Sequence, residues 1–278
     1  MKRVGVLGLG IIGSLWARHY AAAGVLAGTW NRTPRLEAPA WCSTPQEVLE
    51  GADVVHVVVA DPPAVREVLA AIAPRLGPGK LVIQSSTIDP ASADEFKQAV
   101  SATGADYLEA PFTGSKPAAE RRELVFFLGG EAPTLSSAEP TLALVSATRL
   151  HIGDHRQAAA LKLALNLNLA VQMQGIIEAR ALAASAGLGD EIFYTALARN
   201  VGYSGLVKLK EPKLRAADFS PQFSVKHLHK DLRLAASAGQ GLHLPALETL
   251  RRQLKTAEAH GLGEEDFSAL VKVLGTGL

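Results

Sequence analysis

The chain has 278 residues, of which 48% are hydrophobic and 20% are charged, and this composition excludes a wholly disordered protein. The formal net charge of +1 gives no electrostatic footprint for nucleic acid or for an anionic membrane. The single cysteine excludes an internal disulfide, and no apolar run is long enough to predict a membrane span. We therefore expect a cytoplasmic globular protein that binds neither nucleic acid nor membrane.

Short apolar runs alternate with helix-like segments over the first 150 residues. The predicted strands are 3–8, 25–30, 53–60, 80–86, 106–111 and 123–130, and the predicted helices between them are 11–24, 44–52, 62–76 and 89–104. The helix at 44–52 opens with Thr44, Pro45 and Glu47, which is a capping-box start. This alternation predicts a doubly wound α/β sheet with helices on both faces.

From about residue 158 the pattern is helical only. The stretch from 158 to Gly187 is compatible with one helix of about 30 residues, long enough to bridge two domains. Further helical segments follow to the end of the chain. We predict an α/β domain over 1–157 and an all-helical substrate and dimerisation domain over 158–278.

The segment "GLGIIG" has the spacing G-x-G-x-x-G directly after a strand and before a helix. It comprises Gly8, Leu9, Gly10, Ile11, Ile12 and Gly13. In that context the glycines permit a tight turn and close backbone approach to a pyrophosphate at a helix N-terminus. The pattern predicts a Rossmann-type dinucleotide-binding domain, and the alternative is glycines that merely turn the chain.

The residues at the end of the second predicted strand indicate which of the two nicotinamide dinucleotides the protein binds. An NAD site usually places Asp or Glu here for the ribose hydroxyl, whereas this chain offers Asn31, Arg32 and Thr33. A neutral and a cationic side chain suit a 2′-phosphate, so we predict NADP rather than NAD. The alternative is an exposed arginine in a turn. Ala60 ends a strand at the carboxyl edge of the sheet, where nucleotides lie, and is a further candidate contact.

Lys162 and Asn166 lie four residues apart in the long predicted helix and therefore share a face. A surface polar stripe, a solvated helix end and a catalytic pair all predict this spacing. A lysine on a long helix is normally a solvated charge, but the flanking residues are mostly Ala and Leu on every face, which makes a simple polar stripe less attractive. Lysine transfers protons best where burial brings its pKa toward neutrality.

The segment from Thr113 through Gly114 to Ser115 places two hydroxyls and a flexible glycine in a turn after a strand. Backbone N–H groups and hydroxyls in such a turn form a carboxylate cradle. An ordinary Gly/Ser turn is the alternative.

Together these motifs resemble the β-hydroxyacid dehydrogenase family, relatives of 6-phosphogluconate dehydrogenase. The resemblance covers nearly the whole chain and rests on five segments in the same order: "VGVLGLGIIGS" with "NRT", "SSTIDP", "EAPFTGSKPAAERRELVFFLGG", "LKLALN" and "KDLRLA". The "GSK" followed by "AE" is most similar to glyoxylate and succinic semialdehyde reductases. Phe112 and Glu109 depart from the valine and aspartate that are usual in the third segment.

The resemblance implies an NADP-dependent reductase of a small carboxylate-bearing aldehyde or keto acid. It implies that Lys162 transfers the proton, that Thr87 and Lys230 contact the cofactor, and that Phe223 and Asp231 border the substrate pocket. No clustered Cys, His or carboxylate set supports a metal site, so we predict none. Because the long apolar helix leaves surface to bury, we expect a homodimer or homotetramer. The alternatives are a 3-hydroxyisobutyrate dehydrogenase, an imine reductase and a non-catalytic NADP-binding sensor.

Overall fold

An eight-stranded mixed sheet occupies the first part of the chain in the computed structural model, which describes residues 1–274. The strands are β1 (Val4–Leu7), β2 (Leu26–Trp30), β3 (Val54–Val57), β4 (Leu81–Gln84), β5 (Asp106–Glu109), β6 (Phe112–Thr113), β7 (Leu124–Gly129) and β8 (Ser146–Gly153). Their order is β2-β1-β3-β4-β5-β7-β6, and β8 pairs with β7. The first five strands run parallel, whereas β7 is antiparallel to both β5 and β6.

Six helices connect these strands, and local caps explain where several of them begin. The helices are α1 (Ile11–Ala22), α2 (Pro45–Glu50), α3 (Pro62–Ile72), α4 (Pro90–Ser101), α5 (Lys116–Glu120) and α6 (Ala132–Leu142). Thr44, Asp61 and Asp89 each precede a proline and accept a backbone N–H from the first turn of α2, α3 and α4. Thr44 caps α2 as predicted, although the Glu47 carboxylate accepts the backbone N–H of Ser43 rather than that of Thr44. The sequence patterns do not predict β6, β8, α5 or α6.

Apolar side chains cover both faces of the sheet. One cluster contains Trp16 and Phe126, and another contains Leu49, Ile72 and Phe96. Every residue of β3 is buried, as expected of a parallel strand covered on both faces. The structure therefore confirms the predicted doubly wound α/β sheet.

His56, in the middle of β3, makes the stability of this sheet sensitive to acid. Burial lowers the pKa of His56 to about 3 from its ordinary 6.5. Between these values the unfolded chain binds the proton and the folded chain does not, so the free energy of unfolding falls as the pH is lowered, by up to about 1.4 kcal/mol per pH unit. We expect urea unfolding between pH 6.5 and 4.5 to show a steeper loss for the wild type than for His56→Gln. Parallel curves for the two proteins would contradict this prediction.

The chain forms two compact units, Met1–Leu163 and Ala164–Leu278. The division falls within α7 (His155–Ser185), whose 31 residues confirm the predicted long helix. The helices after it are α8 (Asp190–Leu197), α9 (Gly205–Arg215), α10 (Val225–Ala238) and α11 (Pro245–Ala259), followed by a 3-10 helix over Phe267–Val273. The second unit is helical, as predicted, whereas the functional division of the chain at residue 157 stays a prediction.

Residues 1–274 contain neither a helix suited to span a membrane nor a cluster of metal-binding side chains. Within that range no helix has both the length and the apolar character needed to cross a bilayer. In the same range no group of three or more His, Cys, Asp or Glu side chains is placed to hold a metal ion. The absence of a metal in the working protein stays a prediction.

Candidate active site

The glycine loop, residues 8–13, joins β1 to α1, and two of its glycines are required by close backbone approach. A Cβ on Gly8, where φ is +109°, would lie 2.1 Å from the carbonyl oxygen of Val58. A Cβ on Gly13 would lie 2.0 Å from the carbonyl oxygen of Gly8. A larger residue at Gly8 would therefore push the loop away from the segment that follows β3, and a larger residue at Gly13 would push α1 away from the loop.

Gly10 precedes α1 and leaves the end of that helix accessible. A Cβ on Gly10 would meet no heavy atom within 4 Å among the described residues, and Gly10, as the N-cap residue, has no side chain to cap this helix end. The first backbone N–H groups of a helix have no partner within the helix, and their partial positive charge attracts anions. The loop therefore fits the diphosphate of a dinucleotide.

Asn31 connects the glycine loop to the turn that follows β2. The backbone N–H of Leu9 donates to Asn31 Oδ1 at 2.9 Å, and Asn31 Nδ2 donates to the carbonyl oxygen of Thr33 at 2.8 Å. The sequence suggests Asn31 only as a cofactor contact. In the structure, the Asn31 side chain joins the glycine loop to the turn after β2 through these two hydrogen bonds.

Arg32 lies on the surface beside the acidic side chain of Glu67. Its side chain is 79% exposed, and its Nη1 is 3.9 Å from Glu67 Oε2 on α3. An exposed pair at this distance holds the guanidinium only weakly. Arg32 is thus able to turn toward a phosphate near the end of β2.

Ala60 and Thr87 follow neighbouring parallel strands at the same edge of the sheet. Each lies three residues beyond the end of its strand, β3 for Ala60 and β4 for Thr87. The two loops are joined because the backbone N–H of Val59 donates to Ser86 Oγ at 2.8 Å. Both predicted contacts therefore lie at the edge where β1 delivers the glycine loop.

A buried polar network fixes the ends of β4 and β5. Glu109 is fully buried, and it accepts from the Tyr107 hydroxyl at 2.5 Å and from Gln84 Nε2 at 2.9 Å. Gln84 in turn hydrogen-bonds both the N–H and the carbonyl of Ser86. Burial raises the pKa of Glu109 well above its usual range. The glutamate that departs from the family pattern is therefore a structural anchor below the loops.

The hydroxyl turn, Thr113–Ser115, leaves the sheet at the end of β6. Gly114 has φ +128°, and a Cβ there would lie 2.5 Å from Leu124 Cδ2, so a side chain at this position is strained and crowded. Thr113 is exposed and Ser115 is half-buried. Neither of the two hydroxyl-bearing residues is buried, and a carboxylate cradle would require this.

Lys162 is half-buried on α7 and lies near an aromatic ring that the sequence does not predict beside it. The Nζ atom lies 6.0 Å from the centroid of the Phe112 ring, within the range of a cation–π interaction. Phe112 packs edge-on against Trp16 at 5.1 Å between ring centroids. The phenylalanine that departs from the family pattern therefore borders the candidate proton donor.

In the second unit, Asp231 links two predicted site residues. Asn166 Nδ2 donates to Asp231 Oδ2 at 2.6 Å, and Lys230 Nζ lies 2.7 Å from Asp231 Oδ1. Asn166 is 5% exposed, whereas Asn168 lies on an exposed face of α7. The carboxylate fixes the amide of Asn166 and balances the charge of Lys230.

Phe223 lies just before α10 and packs edge-on against Phe267, with 5.8 Å between ring centroids. Its carbonyl oxygen accepts the backbone N–H of Phe267 at 2.9 Å. The ring is half-buried, which leaves part of it available to border a pocket.

Comparison with known proteins assigns both parts of the chain. The model for the NAD binding domain of 6-phosphogluconate dehydrogenase matches residues 3–153. A model for the NAD-binding region of NADP-dependent 3-hydroxyisobutyrate dehydrogenase matches residues 157–274. The chain belongs to the β-hydroxyacid dehydrogenase family. It is an NAD(P)-dependent oxidoreductase, as the resemblance in its motifs implies.

Individual members of the family are similar over nearly all of this chain. The chain is 29% identical to glyoxylate/succinic semialdehyde reductase 2, chloroplastic, of Arabidopsis thaliana, covering 98% of this chain and 79% of that protein. It is also 29% identical to the cytokine-like nuclear factor N-PAC of Danio rerio, covering 98% of this chain and 61% of that protein. The crystal structure of 3-hydroxyisobutyrate dehydrogenase from Salmonella typhimurium has a TM-score of 0.88 and 27% identity, covering 99% of this chain and 100% of that chain.

For this β-hydroxyacid dehydrogenase, the structure brings the predicted residues together within each unit. The glycine loop, Asn31, Ala60 and Thr87 lie along one edge of the sheet, and Asn166, Lys230 and Asp231 form one polar group. Sequence reasoning missed Glu67 and the networks around Glu109 and His56. Glu109 pairs with Gln84 and His56 pairs with Tyr20 and Ser85 across 25 to 36 residues of the chain, and no local pattern reports such pairs.

Proposed function

We propose that this protein is an NADP-dependent reductase of a small aldehyde or keto acid that carries a carboxylate, of the glyoxylate or succinic semialdehyde type. The observation that carries the proposal is Lys162 on α7, whose Nζ lies 6.0 Å from the centroid of the Phe112 ring, in a chain whose glycine loop fits a diphosphate. The similarity to a glyoxylate/succinic semialdehyde reductase supports the substrate class.

The cofactor is held by backbone and side-chain groups at the sheet edge. The proposed contacts are Gly8, Leu9, Gly10, Ile11, Ile12, Gly13, Asn31, Arg32, Thr33, Ala60, Thr87 and Lys230. The glycine loop binds the diphosphate and Arg32 binds the 2′-phosphate. When bound, the nicotinamide supplies or accepts the hydride.

The substrate carboxylate is held by the hydroxyl turn. The hydroxyls of Thr113 and Ser115 donate to it, and Gly114 allows the backbone to approach closely. Phe223 and Asp231 border the pocket, and the pairing of Asp231 with Lys230 reduces the repulsion that its charge would exert on an anionic substrate.

Lys162 moves the proton. In reduction its ammonium gives a proton to the carbonyl oxygen as the hydride reaches the carbon, and water returns the proton to the amine afterwards. In oxidation the neutral amine accepts the hydroxyl proton. Asn166 donates to the substrate oxygen without adding charge, and its hydrogen bond to Asp231 keeps its amide oriented.

The test of the reaction is NADPH oxidation against glyoxylate, succinic semialdehyde, methylmalonate semialdehyde, tartronate semialdehyde and a cyclic imine. We expect turnover with the first two. A preference for methylmalonate semialdehyde would indicate a 3-hydroxyisobutyrate dehydrogenase, and a preference for the imine would indicate an imine reductase.

A second candidate is an NADP-binding protein without turnover. The similarity to a relative named as a nuclear factor rather than as a reductase favours it. Tight NADPH binding with no turnover of any aldehyde in the panel would establish it in place of the reductase.

Arg32→Ala tests the choice of dinucleotide. We expect it to weaken NADPH binding at least tenfold and to leave NADH binding within about twofold, because only NADPH presents a 2′-phosphate to the guanidinium. Fluorescence titration with both cofactors measures this. Arg35→Ala is the matched control, since Arg35 is also exposed and lies 3.9 Å from a glutamate. Equal wild-type affinities for the two cofactors would overturn the preference for NADP.

We also propose that the protein assembles as a homodimer or homotetramer. The second unit exposes large apolar side chains, including Leu182, Ile192 and Val201. Exposed apolar area of this kind is buried in oligomers. Light scattering that finds a monomer would remove this proposal.

A further inference from the structure

A chain of buried hydrogen bonds crosses the sheet beneath the candidate site. The Tyr20 hydroxyl lies 3.0 Å from His56 Nδ1, and His56 Nε2 lies 2.8 Å from Ser85 Oγ. Ser85 Oγ donates to the carbonyl oxygen of Ala110 at 2.7 Å. All four residues are buried, and none has a role in the function proposed above.

The chemistry of these groups fixes the direction of every bond. A carbonyl oxygen only accepts, so the single hydroxyl proton of Ser85 points to Ala110. Ser85 Oγ must then accept from His56, and Nε2 therefore carries the imidazole proton. Nδ1 is left as the acceptor of the Tyr20 hydroxyl. One tautomer of His56 therefore satisfies every hydrogen bond in this series. The Trp16 ring is stacked on the imidazole, with 4.2 Å between ring centroids, and limits the rotation of the imidazole.

This series of hydrogen bonds joins three segments of the protein that carry predicted contacts. Tyr20 lies on α1, which begins in the glycine loop. Ser85 directly follows β4, two residues before Thr87. Ala110 directly follows β5 and opens the segment that leads to the hydroxyl turn. The cofactor side and the substrate side of the first unit are thus connected by bonds of fixed direction.

We propose that Tyr20, His56 and Ser85 are positioning residues that set the spacing between the segment carrying Thr87 and the segment carrying the hydroxyl turn. This inference rests on the proposed function, because that spacing matters when a nicotinamide and a carboxylate must be held together for hydride transfer. Apolar side chains would fill the same volume without a desolvation cost. A satisfied polar chain adds a geometric constraint that apolar packing lacks.

Two single variants and a matched control test the proposal. Tyr20→Phe keeps the ring and removes the first donor, and Ser85→Ala removes the central link. Ser146→Ala is the control, because Ser146 is also buried in the first unit and also donates to a backbone carbonyl at 2.7 Å. The measurements are kcat, the Kd of NADPH, the isotope effect with 4-deuterated NADPH, and hydrogen exchange of the amides at 86–88 and 112–115.

We expect kcat to fall about tenfold in both Tyr20→Phe and Ser85→Ala, while the Kd of NADPH changes less than twofold. Small displacements of the reacting groups lower the rate of hydride transfer more than they weaken cofactor binding. The isotope effect should rise, and the double variant should be no slower than the slower single variant, since both break one chain. The amides at 86–88 and 112–115 should exchange faster. Ser146→Ala should change thermal stability alone.

Values of kcat within twofold of wild type in both variants would overturn the proposal, whatever their thermal stability. If Ser85→Ala does not fold, Tyr20→Phe decides the outcome alone. If the wild type turns over none of the substrate panel, the proposed function fails, and hydrogen exchange then decides the structural claim. In that case, unchanged exchange at 112–115 in Tyr20→Phe would show that the chain does not set the spacing.

Discussion

Lys162→Met is expected to lower kcat for aldehyde reduction by about 10²–10⁴ while NADPH still binds with nearly wild-type affinity. Removing a positioned proton donor costs a factor of this size, because the developing alkoxide then has to take its proton from water. The cofactor contacts proposed at the sheet edge are untouched by the substitution. Stopped-flow NADPH oxidation and a fluorescence titration measure the two quantities.

Lys162→Arg tests whether the reaction requires proton transfer from this side chain or only its positive charge. The guanidinium keeps a positive charge near the Phe112 ring, but it does not give up its proton near neutral pH, so we expect kcat to remain low. Lys97→Met is the matched control, because Lys97 is a half-buried lysine on a helix of the first unit that has no proposed role. Near-normal turnover in Lys162→Met would remove this lysine from the chemistry. A loss of NADPH binding would instead make it a cofactor contact.

The parts of the fold that the sequence predicts correctly depend on local signals. The apolar run that includes Val54 and Val57 predicts a strand because a buried parallel strand has no polar face. Thr44 and Asp89 mark helix starts because a side-chain oxygen before a proline caps the first turn. The glycine loop is predictable because its glycines stand at a fixed spacing between a strand and a helix, although the close approach at Gly8 is to Val58, 50 residues away along the chain.

The parts that the sequence does not predict depend on partners that are distant along the chain. His56 looks like an isolated polar residue in an apolar strand until Tyr20 and Ser85 are placed beside it. The position of Phe112 below Lys162 is equally invisible, because 50 residues separate them. The two-residue strand β6 and the five-residue helix α5 are too short to produce a periodic pattern.

Lys210→Met is expected to lower the free energy of unfolding by about 3–5 kcal/mol, the usual cost of leaving one member of a buried ion pair without its partner. Lys210 Nζ lies 2.7 Å from Asp266 Oδ1, and the two side chains are 2% and 0% exposed. The Asp266 carboxylate also accepts the backbone N–H groups of Gln222 and Ser268. Urea unfolding followed by circular dichroism measures the change.

The pH dependence of this loss distinguishes a stranded charge from a packing defect. Burial by itself would raise the pKa of Asp266, but Lys210 and the hydrogen bonds hold that pKa below its usual value in the wild type. Without the ammonium, burial prevails and the folded-state pKa of Asp266 rises above that of the unfolded chain. The folded variant then binds the proton more readily, so the difference in stability between variant and wild type should shrink as the pH falls from 7 toward 4.

Two further variants complete this test. Lys226→Met removes a lysine whose ion pair with Glu264 is exposed, and it should cost less than about 1 kcal/mol at every pH. Lys210→Met combined with Asp266→Asn removes both charges and should recover part of the stability, because no uncompensated charge is then buried. The loss of unfolding free energy in Lys210→Met could instead be constant with pH and unchanged by adding Asp266→Asn. That result would mean that the aliphatic stem of Lys210, rather than its charge, holds α9 against the segment that precedes the 3-10 helix. The pair would then be a packing contact, and Asp266 would fix the residues next to Phe223 through its backbone hydrogen bonds alone.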